Sequence, residues 1–75
     1  MAKKGDNTGV YRVTEVIGTS DNSWEDAARN AVKTASSTLR DLRIAEVTKL
    51  DVRLDEGGKI VQFRTRLSLS FKYEA

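Results

Sequence analysis

The sequence predicts an α+β domain whose elements run in the order β-α-β-β. Three observations carry that expectation. The stretch Val10 to Ile17 is dense in β-branched and aromatic residues. After a run of turn residues comes an alanine-rich stripe at i, i+3, i+4, i+7 spacing, the mark of an amphipathic helix. From Ile60 onward apolar and polar residues alternate almost strictly, as in a half-buried antiparallel strand.

The first strand, Val10-Tyr11-Arg12-Val13-Thr14-Glu15-Val16-Ile17, is expected to close at Gly18, and Gly18 to Asn22 supplies turn chemistry. Ser23 fits the N-cap of the helix. Asp26 lies three residues on, and Glu25 and Asp26 suit the positive end of the helix dipole. Trp24, Ala27, Ala28, Ala31, Val32, Ala35 and Leu39 form its apolar stripe, a narrow one made mostly of small side chains. Such a helix sits close to a sheet, with Trp24 and Leu39 supplying most of the volume. Arg29, Asn30, Lys33, Ser36 and Ser37 take the solvent side.

A second strand runs from Leu42 to Leu54, where Leu42, Ile44, Leu50, Val52 and Leu54 share one parity and are expected on one face. Asp55-Glu56-Gly57-Gly58-Lys59 is a hairpin connection with two glycines available for positive φ. In the third strand Val61, Phe63, Thr65, Leu67, Leu69, Phe71 and Tyr73 share a face, opposite Gln62, Arg64, Arg66, Ser68, Ser70 and Lys72. The strands and helix make one domain, residues 10–75. Residues 1–9 are polar, hold two glycines and read as a flexible N-terminal tail.

Length sharpens the picture. A chain of 75 residues buries only about 60–65% of the surface its unfolded form exposes. Without cysteine or histidine it has neither disulfides nor a typical zinc site to help. The last two strands, at about 13 residues each, reach roughly 43 Å, whereas a helix of about 16 residues covers roughly 24 Å. A compact domain of this size is only about 30 Å across. The sheet must overhang its helix or curl, and the uncovered residues and strand edges call for copies of the chain.

Charge is heavy but balanced, 13 Lys and Arg against 11 Asp and Glu, and beyond residue 9 the counts are 11 and 10. The isoelectric point of 9.2 therefore reflects a near-tie rather than a basic face. That balance disfavours nucleic acid and anionic membranes as partners. With no long apolar segment and no signal peptide visible, a cytoplasmic protein is expected.

The usual catalytic sets are missing. Common nucleophile–base pairs need a histidine or cysteine. Gly57-Gly58 lacks the following helix and Lys-Ser/Thr of a phosphate loop, and the carboxylates do not follow the EF-hand spacing. Asp51 and Asp55 share a parity with Arg53 between them. One reading is a solvated edge with a local ion pair; the other is a hard-cation site that symmetry builds from several chains. Asp55 and Glu56 also suit a role that simply keeps the turn soluble. Trp24, on the helix stripe, fits packing in a core or interface better than ligand stacking. Arg64 and Arg66 either bind an anionic ligand or pair with Glu15, Glu46 or Asp51.

The segments Val16-Ile17-Gly18-Thr19-Ser20, Ser23-Trp24-Glu25-Asp26-Ala27-Ala28, Thr38-Leu39-Arg40-Asp41-Leu42, Glu46-Val47 and Ser70-Phe71-Lys72 together resemble the dodecin family, over Val10 to about Tyr73. The resemblance implies a three-stranded antiparallel sheet wrapped around one helix, assembled as a hollow cage of twelve subunits. Flavin-binding members stack the ring between tryptophans near two-fold axes and hold its edge with a glutamine. The resemblance puts Ile44 at the tryptophan position, Ala45 at its aromatic neighbour, Glu46 beside them and Arg64 at the glutamine position. Isoleucine has no π face and arginine is a donor only, so the flavin pocket is altered here.

Arg43-Ile44-Ala45, Phe63-Arg64 and the Ser-Trp-Glu helix start look like a calcium-binding subgroup, with Asp51 the first positional candidate for an ion ligand and Asp55 the second. The resemblance thus implies a non-enzymatic homododecameric cage, without nucleic-acid or membrane partners, that binds, stores or buffers a small ligand. Calcium is the candidate ion, and flavin (FMN, FAD, riboflavin or lumichrome) ranks below it. The alternatives are flavin storage in a non-standard site and a structural oligomer with no specific ligand.

Overall fold

A computed structural model describes residues 9–72; Tyr73 and all but the last residue of the expected tail 1–9 lie outside the described residues. The order is β1 (Tyr11–Ser20), α1 (Trp24–Ser36), β2 (Leu42–Leu54) and β3 (Ile60–Lys72). The strands form one antiparallel sheet of order β1-β3-β2, so the last strand is central and the other two are edges.

The helix begins as its sequence dictates. Ser23 is extended, and its hydroxyl accepts from the Asp26 amide at 3.0 Å, satisfying one of the orphan donors of the first turn. Three further bonds fix the helix on the sheet. The Thr65 hydroxyl donates to the Trp24 carbonyl at 2.8 Å, the Ser20 hydroxyl to Asp26 Oδ2 at 2.6 Å, and the Asn30 amide to the Thr19 carbonyl at 3.0 Å. Ala31 and Ala35 are buried against Leu67 and Leu69, with Val16, Ala28, Leu39 and Leu42 around them, and Ala27 is buried over Gly18. The helix ends at Ser36 rather than Leu39. The amides of Thr38 and Leu39 both fold back onto the Ala35 carbonyl, at 3.1 and 2.8 Å, and close a turn instead of extending it.

β1 does not stop at Gly18. It continues to Ser20, with Gly18 opposite Thr65 on the face under the helix. A Cβ at Gly18 would overlap the Ala27 carbonyl oxygen and stand 2.8 Å from Ala31 Cβ. The glycine serves close approach of helix to strand, not chain reversal, and this is why its turn-like context misled. The true turn glycine is Gly58, at φ +85° in the β2–β3 hairpin.

The face expected for β2 is only partly right. Directly opposed residues point to the same side of a sheet, and Thr65, Leu67 and Leu69 mark the helix side. Leu42 opposes Phe71, Ala45 opposes Leu69, Val47 opposes Leu67, Leu50 opposes Thr65 and Val52 opposes Phe63. Ile44 instead opposes Ser70 and faces away from the helix. Arg43 is an extra residue between two register pairs, and so is Thr48; each bulge reverses the parity. A third irregularity separates Arg53 from Leu54, which pairs with Ile60. The Thr48 hydroxyl donates to the Arg66 carbonyl at 3.3 Å and fastens the second bulge.

The expected overhang is present. The described chain measures 59 × 20 × 17 Å with a radius of gyration of 15.7 Å, against about 11 Å for a compact chain of this length. Val47 and Leu50 face the helix side yet remain half exposed, at 51% and 52%. Gly18→Ala is expected to destabilise the fold by about 1–3 kcal/mol through overpacking against the helix backbone. A lower urea midpoint than wild type would show it, whereas Gly57→Ala, with only one ordinary contact at 3.5 Å, should change little.

Candidate functional site

The sheet face turned away from the helix holds most of the expected site residues. Reading across β1, β3 and β2, its rows are Val13–Ser70–Ile44, Glu15–Ser68–Glu46, Ile17–Arg66–Lys49 and Thr19–Arg64–Asp51. Ile44, Glu46 and Arg64 therefore share this face. Ala45 is on the other, opposite Leu69, where with Ala28, Val32 and Val47 it lines an open apolar groove of about 400 Å³. Ile44 is 55% exposed. Ser70 and Arg64, the β3 residues of the two rows, are six positions apart, roughly 20 Å along the strand. One chain does not bring Ile44 and Arg64 onto one small ligand.

Arg64 is already engaged. Its Nε donates to Asp51 Oδ1 at 2.7 Å and its Nη2 to Asp51 Oδ2 at 3.2 Å, a two-pronged, charge-assisted pair across adjacent strands. That hydrogen bond, reinforced by the charges of Arg64, Arg66 and Lys49, holds the Asp51 carboxyl below its ordinary 3.8, and it raises the Arg64 guanidinium in turn. Arg66 reaches Glu15 at 3.9 Å. Of the two roles the sequence left open for these arginines, the structure shows pairing across the sheet. Arg53 Nε donates to Gln62 Oε1 at 3.4 Å and does not pair with Asp51.

Asp51 and Asp55 are not brought together. Asp55 follows the end of β2, where its Oδ1 accepts from the amides of Gly57 and Lys59, both at 2.9 Å, and closes the hairpin. Among the described residues no three His, Cys, Asp or Glu side chains cluster as a metal centre. Hydrogen-bond acceptance in the turn is thus the Asp55 role visible within one chain.

One contact escaped the sequence. The Trp24 indole N–H donates to the Asp51 carbonyl at 3.0 Å while its ring meets Phe63 edge-on, centroids 5.2 Å apart. Trp24 packs as expected, at 37% exposure, and it also ties the helix start to the strand that carries Asp51. Trp24 and Asp51 are 27 residues apart, so no local pattern announces the bond. The hint was only that a tryptophan at a helix start needs a partner for its N–H.

Fold and surface define a small β-α-β-β domain with a charged, internally paired outer face and apolar surface left uncovered beside its helix. The sequence pattern of the dodecin family matches residues 10–74, and the chain belongs to that family. It is 46% identical over 63 residues to the calcium dodecin of Mycobacterium tuberculosis, covering 84% of this chain and 87% of that protein. The crystal structure of that calcium-chelating dodecin, with its calcium-binding site, superposes with a TM-score of 0.76 at 45% identity, over 87% of this chain and 91% of that one. Dodecin from Streptomyces coelicolor gives a TM-score of 0.83 at 39% identity, over 100% and 99% of the two chains.

The Asp51–Arg64 pair makes a pH prediction. Because folding depresses the Asp51 carboxyl, its contribution is present above the ordinary 3.8 and is lost as pH falls through the lower folded value. A carboxyl-carbon NMR titration should find the Asp51 midpoint below 3.8, and Arg64→Gln should return it toward that value. An unshifted midpoint in the unmodified protein would show that the pair does not persist in solution.

Proposed function

We propose that twelve copies of this chain assemble into a hollow, non-catalytic cytoplasmic cage that binds, stores or buffers a small ligand, with calcium as the ion. The observation that carries the calcium reading is the 46% identity to a calcium dodecin across most of both chains. The flavin positions support it from the other side. Ile44 offers no π surface and Arg64 is bound to Asp51. Stacking contributes about 0.5–1.5 kcal/mol per aromatic pair, and a lost buried hydrogen bond costs about 1–3 kcal/mol. Together they remove roughly one to three decades of flavin affinity.

Asp51 is the first side chain put forward as an ion ligand and Asp55 the second. Calcium takes six to eight oxygens in general, and each of these carboxylates is already engaged within its own chain. An ion must therefore draw its shell from several subunits, from carbonyls and from water, and must displace Arg64 to reach both oxygens of Asp51.

Calcium is expected to raise the melting temperature of the intact assembly relative to chelator. Asp51→Asn should shrink that shift while leaving the chelated protein nearly unchanged, because a solvent-exposed ion pair is screened and adds little to stability. Arg64→Gln, which frees the carboxylate, should enlarge it. Equal melting temperatures in calcium and chelator would overturn the calcium reading, and native mass measurement on the same sample reports whether twelve subunits are present.

A further inference from the structure

Asp51 stands on a weakly supported stretch of the sheet. β2 is an edge strand, so within the chain a neighbouring strand holds it from one side only. Register irregularities lie on both sides of Asp51, one between Val47 and Lys49 and one between Arg53 and Leu54. Such breaks disrupt the ladder and bend the strand locally. The helix gives β2 little help, because α1 packs on β1 and β3 and meets β2 sparsely. The helix side chains Asp26 and Asn30 bond to Ser20 and Thr19 on β1. Among the described residues, the Trp24 indole is the helix side-chain donor that reaches β2, at the Asp51 carbonyl.

Building on the calcium reading, we propose that Trp24 is a positioning residue for the ion ligand. Its indole N–H fixes the Asp51 backbone and so sets where the Asp51 carboxylate stands when an ion takes it.

The donor is itself firmly held. The Trp24 carbonyl accepts from the Thr65 hydroxyl at 2.8 Å, and its ring meets Phe63 at 76°, centroids 5.2 Å apart. Phe63 and Thr65 are the residues on either side of Arg64 in β3. Arg64 grips the Asp51 carboxylate on the outer face, and its two neighbours anchor the tryptophan that grips the Asp51 carbonyl. An indole suits that task, with one N–H donor on a flat ring set by two side-chain torsions.

Calcium affects the two grips differently. To offer both oxygens to an ion, the carboxylate must release Arg64. The Trp24 bond uses the backbone carbonyl and survives that exchange. Once Arg64 lets go, the indole is the side-chain contact that still holds Asp51. Contacts that orient metal ligands from behind control affinity by about 10- to 100-fold. A single hydrogen bond from a partly exposed ring adds little to the stability of the whole fold. Effects on the site and on the fold therefore separate.

Trp24 is the only tryptophan, so residue-specific replacement touches no other position. At position 24, 3-benzothienylalanine keeps the ring shape and removes the N–H. Trp24→Phe removes it with a smaller ring, and 5-fluorotryptophan keeps it. Equilibrium dialysis of the intact protein against calcium should give an affinity about tenfold weaker for the first two and unchanged for the third. In chelator the benzothienyl protein should melt close to the unmodified one. The Asp51 carbonyl and the Val52 amide share one peptide plane. Loss of the donor should therefore lower the Val52 order parameter from the rigid value of about 0.85, as read by nitrogen relaxation in chelator. Unchanged calcium affinity or an unchanged Val52 order parameter in the benzothienyl protein overturns the positioning role and leaves the calcium reading standing. A lower chelator melting temperature for that protein makes the bond merely structural and also overturns the role. No calcium uptake by the unmodified protein overturns both.

Discussion

One mismatch governs this molecule: a 13-residue helix lies across strands of 13 residues. The helix spans roughly 20 Å and the strands roughly 43 Å, because a strand rises about twice as far per residue. The alanine face compounds the shortage. It lets the helix sit tight over Gly18 and the buried Leu67 and Leu69, but it spreads little apolar surface sideways. The covered core is small, and Val47, Leu50 and the ends of the sheet are left to be covered from outside.

The polar contacts divide between the two halves of that arrangement. Ser23, Ser20, Asn30 and Thr65 hold the helix at one place on the sheet, so the covered patch is fixed rather than sliding. On the opposite face, cross-strand pairs such as Asp51–Arg64 link β2 to β3. Trp24 joins the halves, packing on Phe63 under the sheet while bonding the backbone of Asp51. The site is therefore mechanically coupled to the helix start.

Much of the fold was legible because each element has a strong local cause. The bounds of β2 and the start of β3 followed from residue type and turn chemistry, and the helix start followed from Ser23 and Asp26. Gly18 was misread because a glycine before Thr-Ser-Asp-Asn looks like a turn, and the need for space beneath Ala27 arises only once helix meets sheet. The β2 face was misread for a similar reason. Bulges at Arg43 and Thr48 leave no mark in the hydrophobic pattern, yet each reverses the parity, so Ile44 moved to the face of Arg64 while Ala45 left it. The Asp51–Arg64 pair was among the options the sequence raised, but the engagement of Asp55 by its own turn was visible only in atomic detail.

If the short helix leaves the core unfinished, folding and association are one process, and stability depends on protein concentration. Urea unfolding of the full chain, followed by circular dichroism over a wide dilution series, tests this most directly. The account predicts a midpoint that rises steadily with protein concentration. A midpoint independent of concentration, with a cooperative transition in a monomer, would contradict it.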